Sequence, residues 1–137
     1  MTDILLVDDN GSILLTLAIA LRRRGYVVTV ATSGAEALEI LTQKKFDVMI
    51  SDVRMPGMSG TQLASQVQQL PLPPHIILTS AYSTVEARAG LAEAFLRKPI
   101  DIAQLDSILC HIVDNDKRES MKKTSMQNAP DKATTFA

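Results

Sequence analysis

The stretch that decides the fold is an apolar run closed by two carboxylates near the start of the chain: Ile4-Leu5-Leu6-Val7-Asp8-Asp9-Asn10. Consecutive aliphatic residues without polar alternation are typical of a strand that is covered on both faces, as strands of parallel sheets are. The acidic pair follows directly where this strand ends. We therefore predict a buried strand whose carboxyl end carries two negative charges.

Similar apolar runs recur along the chain, at residues 27–31, 48–50, 76–78 and 94–96. Segments with apolar residues at helical spacing lie between and after them. The third is marked by Leu63, Val67 and Leu70, and a weaker fourth by Val85, Ala89 and Ala92. This alternation predicts an α/β fold, with a doubly wound five-stranded parallel sheet and helices on both faces. A barrel of eight such units would need a longer chain.

Length and composition limit the function classes. The chain has 137 residues, of which 46% are apolar and 21% charged, and this suits one folded domain. The net charge of -1 argues against nucleic-acid binding through a broad basic surface. A single cysteine excludes an internal disulfide, and no apolar run approaches the roughly 20 residues of a membrane span. No signal peptide is evident, so we predict a cytoplasmic protein without membrane association.

The character of the chain changes near residue 113. Residues 114–137 have no apolar periodicity and are rich in Lys, Ser, Thr, Asn and Asp. We predict a folded domain over residues 1–113 and a polar, disordered tail or linker remnant over residues 114–137.

Chemically active side chains stand where the predicted strands end, and they are Asp8, Asp9, Asp52, Ser80 and Lys98. The carboxyl ends of parallel strands share one edge of the sheet, so these groups are expected to converge. Two carboxylates about 4 Å apart repel by roughly 4 kcal/mol at an effective dielectric of 20. Each residue alone has an ordinary explanation, such as a helix cap, a loop acid or a solvated lysine. Their coincidence predicts a site for a divalent cation with oxygen ligands, beside a lysine suited to a phosphoryl group.

On these residues the chain resembles the receiver domain of bacterial two-component response regulators. The resemblance covers about residues 3–113, and its motifs are residues 4–10, Asp52-Val53-Arg54-Met55-Pro56-Gly57-Met58-Ser59-Gly60, Thr79-Ser80-Ala81 and Lys98-Pro99. It implies a flavodoxin-like fold with strand order 2-1-3-4-5, in which the first and third strands are neighbours.

The resemblance also implies a chemical role. Asp52 would be the phosphoacceptor, which takes a phosphoryl group from the phosphohistidine of a sensor histidine kinase or a histidine phosphotransfer protein. Mg²⁺, or Mn²⁺ in its place, would be held by Asp8, Asp9, Asp52 and the backbone carbonyl of Arg54. The domain would then be a signalling module that takes part in its own phosphorylation and dephosphorylation, and not a turnover enzyme.

The remaining assignments concern the switch that follows phosphorylation. By the resemblance, Lys98 and Ser80 would bind the phosphoryl group, and Ala81 would keep its entry path open. Phe95 would be the aromatic residue that reorients, although core packing alone also explains it. The Lys98–Pro99 peptide is expected to be cis. The output would reach a downstream protein partner or an output domain outside this sequence, and homodimerisation stays open.

Other interpretations remain. A non-phosphorylated receiver-like interaction module usually lacks one of the acids or the lysine, and this chain keeps them all. A phosphohydrolase of the haloacid-dehalogenase type carries a second acid two residues after its nucleophile, where this chain has Arg54. Nucleotide binding would need a glycine-rich loop after the first strand, where this chain has two carboxylates that would repel phosphate.

Overall fold

Five parallel strands form a single sheet in the computed structural model, which describes residues 1–81 and 90–118. The strands are β1 (Asp3–Val7), β2 (Val27–Ala31), β3 (Val48–Asp52), β4 (His75–Ser80) and β5 (Ala94–Arg97). Their order across the sheet is β2-β1-β3-β4-β5. The predicted flavodoxin-like order is confirmed, and it makes β1 and β3 neighbours.

Helices follow the first three strands and β5. They are α1 (Gly11–Arg23), α2 (Gly34–Gln43), α3 (Gly60–Val67) and α4, formed by residues 102–118. The carbonyl oxygen of the Asn10 side chain accepts hydrogen bonds from the first turn of α1. Ser59 opens α3 through a capping box with Gln62. These polar side chains satisfy N–H groups that a helix start otherwise leaves without a partner.

The buried residues of the strands alternate between the two faces of the sheet. Leu5 and Val7 belong to a core cluster that also contains Leu63, Ala64 and Val67 of α3. Ile4 and Leu6 are equally buried and point to the opposite face, where α1 packs against β1 and β2. Apolar packing on both faces explains why the strands read as unbroken aliphatic runs.

Helix α3 is shorter than its apolar spacing predicts. It ends at Val67, whereas the helical spacing of apolar residues extends to Leu70. The N–H groups of Gln69 and Leu70 donate to carbonyls three residues back, so the last turn tightens and leaves the helical path. Leu70 still packs against the core cluster, which is the reason its position looks helical in the sequence.

The chain divides into two compact units, Met1–Asp106 and Ser107–Ala137. The first contains the whole sheet, and the described part of the second, residues 107–118, is helical. Helix α4 therefore continues past residue 113, while the predicted disorder of residues 119–137 concerns a stretch outside the described residues. Val85 and Ala89 of the predicted fourth helix also lie outside them. Within residues 1–81 and 90–118, no helix is long and apolar enough to cross a membrane.

The core is expected to be sensitive to truncation at Leu63, which is fully buried in the first half of α3. Leu63→Ala removes several packed carbon atoms and leaves a cavity, so the free energy of unfolding should fall by about 2–5 kcal/mol. Urea denaturation followed by circular dichroism measures this change. As a control, Leu72→Ala, at a leucine whose exposed fraction is 65%, should change it by less than about 0.5 kcal/mol.

Candidate functional site

The register of the sheet brings the acidic residues together at its carboxyl edge. Val7 of β1 pairs with Ser51 of β3, so the next residues along each strand, Asp8 and Asp52, are neighbours. Asp9 follows in the same loop. Carboxylate oxygens of Asp8, Asp9 and Asp52 lie within 4.8 Å of one another. The three acids that the sequence places at strand ends therefore form one cluster, which we call the acid cluster.

The acid cluster is partly sealed from solvent. Asp8 and Asp52 are only 3% and 6% exposed, whereas Asp9 is exposed. One carboxylate oxygen of Asp8 accepts a hydrogen bond of 2.9 Å from the backbone N–H of Asn10. That bond holds the Asp8 carboxylate toward the loop. Two carboxylates of the acid cluster are thus buried, and the third faces solvent.

Lys98 supplies the positive charge of the site. Its Nζ lies 2.8 Å from Oδ2 of Asp8 and 3.3 Å from Oδ1 of Asp52. It reaches this position from the residue after β5, where its backbone N–H donates to the carbonyl of Ser80. The peptide between Lys98 and Pro99 is cis, as the resemblance implies. One ammonium group therefore bridges the two buried carboxylates.

The electrostatics of the site are unbalanced. Burial raises the pKa of Asp52, and the nearby charge of Asp8 raises it further, while Lys98 lowers it only in part. Burial alone would lower the pKa of Lys98, but the hydrogen bond and charge of Asp8 and the charge of Asp52 outweigh it, so this pKa is raised. The acid cluster thus holds three carboxyl groups, and one lysine lies against two of them, so positive charge is in the minority.

This donor set fits a hard divalent cation. Carboxylate oxygens are the ligands that Mg²⁺ prefers, and Mg²⁺ commonly binds through few protein groups while it keeps several waters. The exposed Asp9 leaves a side open to such waters. The excess negative charge gives the acid cluster an electrostatic reason to bind a cation.

The other predicted site residues lie at or just after the ends of β3 and β4. Ser80 ends β4 and is buried, one residue beyond Thr79, which pairs with Asp52. Ala81 follows it and is exposed. Arg54 is an exposed residue of the loop after β3, two positions beyond Asp52. The contribution of its backbone carbonyl to a metal site stays a prediction.

Phe95 occupies a different environment from the acids. It lies in β5, pairs with Leu78 across the sheet, and packs half-buried against the core cluster. Ordinary core packing accounts for this placement. Its predicted role as a reorienting aromatic residue stays a prediction.

Sequence reasoning missed the importance of Gly60, the first residue of α3. A Cβ built on Gly60 would lie 2.0 Å from the backbone oxygen of Asp52. The sequence carries no signal that singles out this approach, since glycines also follow the caps Asn10 and Ser33, and neither of these has backbone among the nearest atoms to an added Cβ.

The chain is similar in sequence to known proteins. Residues 4–109 match the family model described as the response regulator receiver domain. The chain is 43% identical over 102 residues to the transcriptional regulatory protein GlrR of Escherichia coli K12. The aligned residues cover 72% of this chain and 23% of that protein. It is 35% identical over 129 residues to the DNA-binding transcriptional regulator NtrC of the same strain, covering 90% and 27% of the two chains. The chain thus spans about a quarter of the length of these relatives.

A solved structure extends the likeness to three dimensions. The response regulator protein TrrA of Thermotoga maritima, in complex with Mg(2+)-BeF, superposes with a TM-score of 0.76 at 30% identity. The match covers 82% of this chain and 99% of that one. Nearly the whole of that structure is therefore similar to this chain in fold and in sequence.

Proposed function

The chain belongs to the response regulator receiver domain family, a family of phosphoacceptor signalling domains, and from this we propose that Asp52 is the residue that accepts the phosphoryl group. The observation that carries the proposal is the arrangement around Asp52. Its carboxylate belongs to a cluster of three acids within 4.8 Å, and Lys98 Nζ bridges two of them. Asp52 is the member of this cluster that ends a central strand of the sheet.

The reaction is a transfer from a phosphohistidine of a sensor histidine kinase or a histidine phosphotransfer protein. An oxygen of the Asp52 carboxylate forms a bond to phosphorus while the bond from phosphorus to the imidazole nitrogen breaks. The electron pair of the broken bond stays on the imidazole, which takes up a proton and leaves as neutral histidine. The product is an acyl phosphate on Asp52, and the carboxylate is consumed once in each transfer.

The residues around Asp52 divide the work of binding and orientation. Asp8, Asp9 and Asp52, with the backbone carbonyl of Arg54, would hold Mg²⁺, or Mn²⁺ in its place. When bound, the cation supplies positive charge for the carboxylates and the phosphoryl oxygens. Lys98 donates hydrogen bonds toward the transferred group from a fixed ammonium position, 3.3 Å from Asp52.

The switch uses residues of β4 and β5. Ser80 donates its hydroxyl to the phosphoryl group, and Ala81 leaves the entry path free of bulk. Phe95 changes its packing when Ser80 moves toward the new charge. A phosphoryl group adds close to two negative charges and three strong acceptors, which is enough to favour a different loop arrangement.

The biological setting belongs to the same proposal. The receiver domain spans residues 1–113 and acts in the cytoplasm, without binding nucleic acid or a membrane itself. Its output passes to a downstream protein partner or to an output domain, since the relatives GlrR and NtrC are transcriptional regulators several times longer than the matched region. A homodimer is one form in which the output would act. The presence of all three acids and of Lys98 favours this role over that of a non-phosphorylated interaction module.

Acetyl phosphate tests the proposal. In the presence of Mg²⁺, the intact mass of the protein should increase by one phosphoryl group, and chelation with EDTA should prevent the increase because the buried acids then repel the incoming anion. Mass spectrometry of the intact chain measures both. An unchanged mass with Mg²⁺ would favour the interaction module, and sustained release of phosphate would favour a turnover enzyme.

A further inference from the structure

The backbone directly after Asp52 is held from three directions. The N–H of Val53 donates to the carbonyl of Thr79 at 2.8 Å, and the carbonyl of Val53 accepts from the N–H of Gly60 at 2.8 Å. The carbonyl of Asp52 accepts from the hydroxyl of Ser51 at 3.0 Å. These three bonds restrain the peptide units on either side of Val53, so the end of β3 has little freedom to move.

Gly60 packs against this backbone with no room for a side chain. A Cβ at this position would lie 2.0 Å from the carbonyl oxygen of Asp52, 2.8 Å from its carbonyl carbon and 2.9 Å from Cα of Val53. All three atoms belong to the backbone, so no side-chain rotation can make room. A side chain at residue 60 would force the start of α3 and the end of β3 apart.

Other glycines of the chain do not share this environment. Gly11 also begins a helix at the carboxyl edge of the sheet, yet a Cβ there would meet nothing within 4 Å. Gly34 begins α2, and the nearest atoms to its added Cβ belong to the side chain of Met58, at 2.9 to 3.2 Å, and not to the backbone. The contact of Gly60 with Asp52 is therefore not a general property of helix starts in this fold.

We infer that Gly60 is a positioning residue for phosphoryl transfer: by seating the first turn of α3 on the Asp52–Val53 peptide, it sets how far the Asp52 carboxylate reaches toward Asp8 and Lys98. The inference rests on the proposed function of Asp52. Ser51 assists from the other side, because its hydroxyl holds the Asp52 carbonyl. Gly60 itself touches no reacting atom.

The consequence for the reaction follows from distances in the site. Lys98 Nζ is 3.3 Å from the Asp52 carboxylate, near the limit of a hydrogen bond, so a backbone shift of about 1 Å breaks this contact. Misplacement of a reacting group by about 1 Å can lower a rate by about 100-fold.

Gly60→Ala tests the inference in the full chain, with acetyl phosphate and Mg²⁺ as probes. We expect the rate of phosphoryl uptake to fall by about 100-fold at a temperature where circular dichroism shows the variant folded. Gly11→Ala, the matched glycine in open space, should keep the wild-type rate. Leu63→Ala separates lost stability from lost position, because it weakens the same helix through the core cluster and leaves Gly60 in place.

A spectroscopic measurement completes the test. In isotopically labelled protein, Gly60→Ala should shift the resonances of the Asp52 carboxyl carbon and the Val53 amide and change their response to added Mg²⁺, while Gly11→Ala, in open space, should leave the Val53 amide unchanged. Ser51→Ala, which fits the buried site without strain, should shift the same resonances by smaller amounts. It should slow phosphoryl uptake about 3- to 10-fold, the effect of losing one hydrogen bond.

Two results would overturn the inference: wild-type uptake by folded Gly60→Ala, or a loss that Leu63→Ala reproduces at equal stability. If the wild-type chain takes up no phosphoryl group, the proposed function fails instead. In that case, unchanged Asp52 and Val53 resonances in Gly60→Ala would refute the positioning role, and shifted resonances would uphold the placement of Asp52 by Gly60.

Discussion

Asp52→Asn is expected to abolish phosphoryl uptake from acetyl phosphate. An amide oxygen is a poor nucleophile and carries no negative charge, so neither the new bond to phosphorus nor the cation site survives in its original form. We expect the rate to drop by more than about 1,000-fold, the size of effect that follows removal of a nucleophile. Intact-mass measurement over time detects the change.

The matched control is an acid next to the other end of β3. Asp47 is an exposed acid just before β3, at the opposite edge of the sheet, where its carboxylate accepts from the backbone N–H of Asp3. Asp47→Asn should be phosphorylated like the wild type. Uptake by Asp52→Asn at a substantial rate would assign the acceptor to another residue, with Asp9 the first candidate because it is the exposed member of the acid cluster.

Asp52→Asn should abolish uptake, yet it should raise the stability of the folded protein. Burial and the charge of Asp8 raise the pKa of Asp52, so folding favours its protonated form. The stability that this preference contributes is complete below the ordinary pKa of aspartate, and it is lost as the pH rises through the raised value. Asp52→Asn removes the costly buried charge. In EDTA at neutral pH its urea midpoint should therefore lie above that of the wild type, and a lower midpoint would contradict this account.

Lys98→Met is expected to impair both the reaction and the fold. The variant keeps the length of the side chain but loses the ammonium group that bridges Asp8 and Asp52. Removing one electrostatic donor from such a site lowers the rate by about 100- to 1,000-fold. In EDTA the loss of a charge-assisted hydrogen bond in a largely buried site should cost about 1.5–3 kcal/mol.

Lys44 provides the comparison. Its Nζ forms an ion pair of similar length with Asp3, at 3.1 Å, but both side chains are about a third to a half exposed. Solvent screens such a pair, so Lys44→Met should change the free energy of unfolding by less than about 1 kcal/mol and leave uptake unchanged. Urea titrations and initial rates distinguish the two lysines. Equal effects at both positions would show that the bridge at Lys98 is an ordinary surface contact.

The fold could be predicted from local patterns for physical reasons that need no coordinates. Unbroken aliphatic runs require burial on both faces, and alternating helical segments require right-handed crossovers onto a parallel sheet. The prediction was less accurate where local and tertiary effects compete. Leu70 lies at helical spacing in the sequence but outside α3 in the structure. Its side chain packs against the core cluster, and this packing does not require a helical backbone.

The acid cluster was predictable because each of its members ends a strand, and the carboxyl ends of parallel strands share one edge of the sheet. The chain's own residues therefore determined which groups meet, the net charge they leave and the class of ion that suits them. Only the tertiary structure decided the distances: Lys98 contacts Asp8 across 90 positions of the chain. It alone also disclosed that the Gly60 backbone lies against the Asp52 carbonyl. Local patterns encode which elements form, whereas contacts between elements depend on how side chains pack in three dimensions, and no local pattern specifies that packing to within an ångström.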